Sequence, residues 1–202
     1  LRPKNPAAQL ANQTLRDTFN STQRWSPLSA YNLPGRWAAL KTLSISNNYV
    51  QSIQRSNVTG TISKTISTTL PDLVMSLSQV ELLLHSQSWM SNTQINLRYS
   101  AHRTETVGTS IATDEALSMD LRSLVRKRFD TSLSGNYKTS KTNDLLVSAN
   151  TQWTRHEDAT AQVNFNVKKV YLTPKVSYSY DRTTLGTGVL TGVTAVFLAT
   201  RV

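Results

Sequence analysis

Along most of the chain, apolar residues alternate with hydroxyl and amide residues at a period of two. The clearest run places Val58, Gly60, Ile62, Ile66 and Leu70 on one side. Thr59, Thr61, Ser63, Thr65, Ser67 and Thr69 take the other. A helix would scatter those hydroxyls around its circumference, whereas a strand collects them on one face. The same alternation sets Ile95, Leu97 and Tyr99 against Asn92, Gln94, Asn96 and Arg98. It sets Leu145, Val147, Ala149 and Trp153 against Asn150 and Gln152, and Val163 and Phe165 against Asn164 and Asn166. The pattern holds for roughly ten or more residues per segment, against about 5–6 in soluble strands, and that length suffices to cross a bilayer at a tilt.

The expected fold is therefore all-β: an antiparallel transmembrane β-barrel, or part of a larger one, with about ten long strands. Residues 36–202 supply the strands. Residues 1–35, broken by Pro3, Pro6, Pro27 and Pro34, read as an irregular plug, loop or connecting segment, with room for a short helix between Ala7 and Phe19. Turns are expected at Asn47-Asn48 or Arg55 to Asn57, at Leu70-Pro71-Asp72, from His102 to Gly108, and from Lys138 to Asp144. Further turns are expected at His156-Glu157-Asp158, at Thr173-Pro174 and from Asp181 to Gly188. Asp114 to Arg128 fits either a short helix or a strand, and its neighbours favour strand. Trp37, Tyr49, Trp89, Tyr99, Trp153 and Tyr171 fall near segment ends, as an interfacial girdle would. Lys64 breaks the apolar side of its segment, where a charge facing lipid costs about 2–4 kcal/mol at the midplane.

Composition narrows the function. The chain has 202 residues, only 7 Gly and 6 Pro, and a formal net charge of +10. The cations are scattered apart from Arg126-Lys127-Arg128, and no finger or aromatic-basic platform accompanies them, so no nucleic-acid partner is expected. With no Cys, disulfides and thiolate metal sites are excluded. No apolar run reaches the roughly 18 residues of a membrane helix, and Leu1-Arg2-Pro3-Lys4 does not open a signal peptide, which points to a mature form or a fragment of a longer chain. His85, His102 and His156 lack ligand spacing, and no nucleophile elbow or phosphate loop appears. No catalytic, metal or cofactor site is expected.

The run Leu70-Pro71-Asp72-Leu73-Val74-Met75-Ser76-Leu77, followed by Trp89 to Arg103, resembles part of the SprA family, as does Lys175-Val176-Ser177-Tyr178-Ser179-Tyr180. That family forms the very large outer-membrane translocon of the type 9 secretion system and is also called a gliding motility cell-surface protein. The resemblance implies a protein-conducting channel in a gram-negative outer membrane, with lipid or lipopolysaccharide around it and other protein chains of a membrane complex beside it. It transfers no site residue.

The functional expectation is a porin-like, non-enzymatic wall for transport or protein secretion. Thr61, Ser63, Thr65, Ser67, Asn92, Gln94, Asn96, Arg98, Asn150, Gln152, Asn164 and Asn166 would line the lumen. Val58, Ile62, Ile66, Leu70, Ile95, Leu97, Val163 and Phe165 would face lipid. The alternative is a soluble, surface-layer or virion β-protein with no membrane.

Overall fold

In the computed structural model, residues 12–58, 61–145, 151–167, 170–185 and 188–201 are described. For 188–201, and for residues 12, 13, 58, 166, 167, 170 and 185, the description covers backbone alone. Among the described residues nine strands follow one another in a meander: β1 (Asn12–Trp25), β2 (Ser44–Val58), β3 (Thr61–Ser78), β4 (Met90–Thr106) and β5 (Ser110–Val125) come first. They continue through β6 (Phe129–Asp144), β7 (Thr151–Val167), β8 (Val170–Leu185) and β9 (Gly188–Arg201). Each pairs antiparallel with the next, in the order β1 to β9. Among the described residues, a 3-10 helix (Gly35–Thr42) and a single turn of helix, α1 (Val80–Leu83), are the helical interruptions of the strand structure.

The antiparallel all-β architecture matches the alternation; several finer expectations do not hold. The sheet is open, with β1 and β9 as its edges and no pairing between them among the described residues. Residues 12–25 form β1 rather than lying in an irregular segment with a short helix. Its residues Arg16, Thr18, Asn20 and Thr22 alternate with Leu15, Phe19 and Ser21, a weak period of two that β2 completes by pairing along the whole strand. Asp114 to Val125 belongs to β5 and is strand throughout.

Most of the expected turns are also absent. Asn47-Asn48 and Arg55 to Asn57 lie inside β2, Lys138 to Asp144 inside β6, His156 to Asp158 inside β7 and Thr173-Pro174 inside β8. Polar residues there, on both faces in Lys138 to Asp144, continue the ladder with partners on the adjacent strands, so hydrophilicity did not mark a chain reversal. The observed connections are tighter. Val107, Gly108 and Thr109 join β4 to β5, with Gly108 at φ 78°, and Arg126-Lys127-Arg128 joins β5 to β6, with Arg126 and Lys127 at φ 49° and 54°.

Few side chains are buried in a single layer of sheet. Among the described residues the buried apolar side chains are Ala39 and Val80, both in the short helical pieces. Buried polar ones include Ser52, Asp72, Glu81, Ser86, Thr93 and Ser123. Leu117 and Val176 are each 49% exposed and Leu133 40%. Among the described residues no second layer covers the apolar rows of this sheet, so hydrophobic burial within it does not offset the entropy of ordering it.

Candidate functional site

Register and alternation sort the side chains onto two faces. On the apolar face, Leu77, Ile95, Leu121, Leu133, Ala161 and Val176 form one cross-strand row. The next row is Met75, Leu97, Met119, Gly135, Ala159 and Tyr178. Then come Leu73, Tyr99, Leu117, Tyr137, Glu157 and Tyr180. Three tyrosines thus stand in one row at one margin of the band. At the other margin, Val125 pairs with Phe129, and the Phe129 and Phe165 rings meet at 5.6 Å. Gly135 lacks a side chain in the middle row and opens a depression of about 420 Å³ lined by Leu97, Leu117, Met119, Tyr137 and Tyr178.

From Phe129 to Tyr137 the band runs about 27 Å along the strand, interrupted by the row of Thr131, buried Ser123 and buried Thr93, whose hydroxyl meets that of Ser123 at 2.9 Å. It crosses the register rows obliquely. At β2 and β3 it reaches the paired Ile53 and Ile66; at β7 it extends the opposite way to Phe165. Lys64 lies outside it, near the start of β3 and opposite Arg55, so it does not interrupt the apolar surface at mid-depth. Arg103, Glu105, Glu115, Lys141 and Arg155 occupy the same outlying stretch of this face. The strands, 14–18 residues long, therefore project past the band at the end remote from α1.

Ile62, Ile66, Ile95, Leu97, Val163 and Phe165 fall on this face, and Leu70 contributes to a hollow beside Ile66 and Ala101. Val58 pairs in register with Thr61, and its side chain lies outside the described residues. Among the aromatics placed at segment ends, Tyr49 and Tyr99 share the apolar face. Trp153 lies farther out on it, beyond Arg155, while Tyr171 alternates onto the opposite face.

The opposite face is polar from β2 to β8. Thr61, Ser63, Thr65, Ser67, Gln94, Asn96, Arg98, Gln152 and Asn164 all take places on it. Asn92 does not join the alternation, because it occupies a bulge at φ 54° between the pairs Ser91–Leu124 and Gln94–Arg122. Asn150 and the side chain of Asn166 lie outside the described residues. The hydroxyls bond one another and the ring of His102, which meets Thr69 at 2.9 Å, Thr104 at 3.0 Å and Ser67 at 3.2 Å.

Two charged groupings on the polar face escaped the sequence. Asp72 is 7% exposed and accepts two hydrogen bonds from Arg98, at 2.9 and 3.1 Å. They meet because β3 carries an extra residue at Leu70-Pro71, shown by the register step from Thr69–His102 to Asp72–Ser100. Proline suits that place, since a bulge leaves one position without a ladder donor. A signal was present: the apolar positions change from even numbers (Ile62, Ile66, Leu70) to odd (Leu73, Met75, Leu77), the phase slip that one inserted residue causes.

The second grouping surrounds His156, which is on a strand rather than in a hydrated loop. Its Nδ1 lies 2.5 Å from Asp181 and its Nε2 3.1 Å from Asp158, whose same oxygen accepts from Asn136. Both ring nitrogens are occupied by carboxylates, which leaves no free nitrogen to activate a hydroxyl nucleophile. Asp130 and Ser132 pair with Asn164 and Gln162, several rows away. The face as arranged offers a hydroxyl- and amide-rich wetted surface with isolated, internally paired charges. No protein-family model, curated protein or solved structure matches the chain.

Proposed function

We propose that the chain is a section of wall from an outer-membrane-type β-barrel in a gram-negative bacterium, forming a pore for transport or protein secretion. The observation that carries this is the uncovered apolar face: the rows centred on Leu133 stand exposed, with no second layer packed over them among the described residues. Lipid is the solvent that makes such a band favourable, at about 25 cal/mol for each Å² removed from water. At a tilt of about 35–45° the band would stand roughly 20 Å high, and its oblique course across the register also supports strands that cross a membrane at a tilt. The Ser, Thr, Asn and Gln of the other face would line a hydrated lumen to which a passing chain does not adhere. A nine-strand open sheet fits this role as an arc of a larger wall, in keeping with the resemblance to the SprA translocon family. Other strands or partner chains would complete the circumference. No catalysis is assigned.

Detergent dependence tests the proposal. The full chain is expected to refold only with detergent micelles or phospholipid vesicles and to co-float with the vesicles. A folded monomer that stays in solution without either would instead establish a soluble structural β-protein and sink the membrane reading.

A further inference from the structure

Just beyond the apolar band, β7 and β8 bring two guanidinium-bearing residues face to face: Arg155 pairs in register with Arg182. Like charges directly opposite one another in a sheet repel. Glu157 answers Arg155 through a hydrogen bond, while no ion pair holds Arg182 among the described residues. Between them lies a hollow of about 330 Å³ lined by Tyr137, Thr139, Trp153, Thr154, Arg155, Arg182 and Thr184. Its lining offers guanidinium, indole and hydroxyl donors and contains no carboxylate. Lys141, over the Trp153 ring at 4.6 Å, adds a third cation at its border. The Glu157–Tyr180 pair comes next toward the apolar rows, followed by Ala159 and Tyr178 of the apolar face. We propose that this hollow binds the phosphate of an anionic lipid headgroup, with the lipid's chains lying against the Tyr178–Ala159 surface.

The inference rests on the membrane reading and deepens it. Depth selects the ligand, since a phosphate here sits one step outside the apolar rows, where a headgroup begins. Guanidinium groups recognise phosphate through paired, charge-assisted hydrogen bonds. An unanswered Arg182 opposite Arg155 is the vacancy such an anion would fill.

The test is flotation of the full chain on neutral phosphatidylcholine vesicles, followed by native mass spectrometry of the detergent-extracted protein offered phosphatidic acid and phosphatidylcholine together. Phosphatidic acid should be retained preferentially, and Arg182→Gln should lower that retention about tenfold, the scale of one lost charge-assisted bond. Flotation should be unchanged, because the substitution leaves the apolar rows intact. Equal retention of the two lipids, or full retention by Arg182→Gln, would overturn the headgroup site while leaving the membrane reading in place. Displacement of the lipid by millimolar inorganic phosphate would also overturn it, as it would assign the hollow to a free anion. Failure of the unmodified chain to float would remove both.

Discussion

Leu133 gives the sharpest test of which solvent the apolar face meets. It sits midway between Phe129 and Tyr137 on β6, flanked in register by Leu121 and Ala161, and is 40% exposed. About 14 Å of strand separates it from either margin of the band, so an arginine placed there is poorly positioned to snorkel to water. For Leu133→Arg the expected cost in a bilayer is about 2–4 kcal/mol, a thirtyfold to nearly thousandfold shift in the folding equilibrium. The neighbouring Ser134 supplies the control: it points to the polar face and pairs with Asp120 and Thr160. Ser134→Arg gains a nearby carboxylate and should change stability by no more than about 0.5 kcal/mol. Reversible urea titration of both variants in phospholipid vesicles measures the difference. If the face met water, arginine at a 40%-exposed position would cost at most about 1 kcal/mol. A difference between the two variants below that value would refute the lipid assignment of the apolar rows.

Other perturbations probe separate parts of the structure. Spin labels at Met75 and Leu97 should be quenched by a lipid-soluble relaxer and labels at Ser76 and Asn96 by a water-soluble one; the same behaviour at all four sites would contradict the assigned faces. Glu81 is buried and accepts the Thr93 backbone N–H at 3.0 Å. Glu81→Ala should therefore destabilise the chain by about 1–3 kcal/mol in the same titration, by leaving that donor unpaired. At Gly135 an added Cβ would meet only the Asp158 carbonyl oxygen, at an ordinary 3.8 Å. Gly135→Ala should leave stability unchanged or raise it by about 0.5 kcal/mol, with the urea midpoint as readout, since alanine narrows the unfolded ensemble.

What the sequence alone determined is the pair of faces. A period of two is a local property, so the threonines and serines from Thr61 to Ser67 separate from Ile62 and Ile66 whatever the strand pairs with. Strand identity follows from the same rule where the alternation is clean, as in β3 and β4, whereas β5 fitted helix or strand alike and only its neighbours favoured strand. The weaker alternation of Asn12–Trp25 did not reveal β1, because its polar and apolar sides differ little until β2 supplies the ladder. Turn positions depended on partners too: His156-Glu157-Asp158 reads locally as a loop, yet Asp181 and Asn136 sit across from it on adjacent strands and absorb its polarity. Registers belong to the tertiary structure for the same reason. The bulge at Leu70-Pro71 and the one at Asn92 are visible in sequence only as phase slips. Their consequences, Arg98 on buried Asp72 and Thr93 on buried Glu81, need strands brought together over 26 and 12 residues of chain. The opposition of Arg155 and Arg182 is likewise a register fact, set when β7 and β8 pair, and composition alone gives no hint of it.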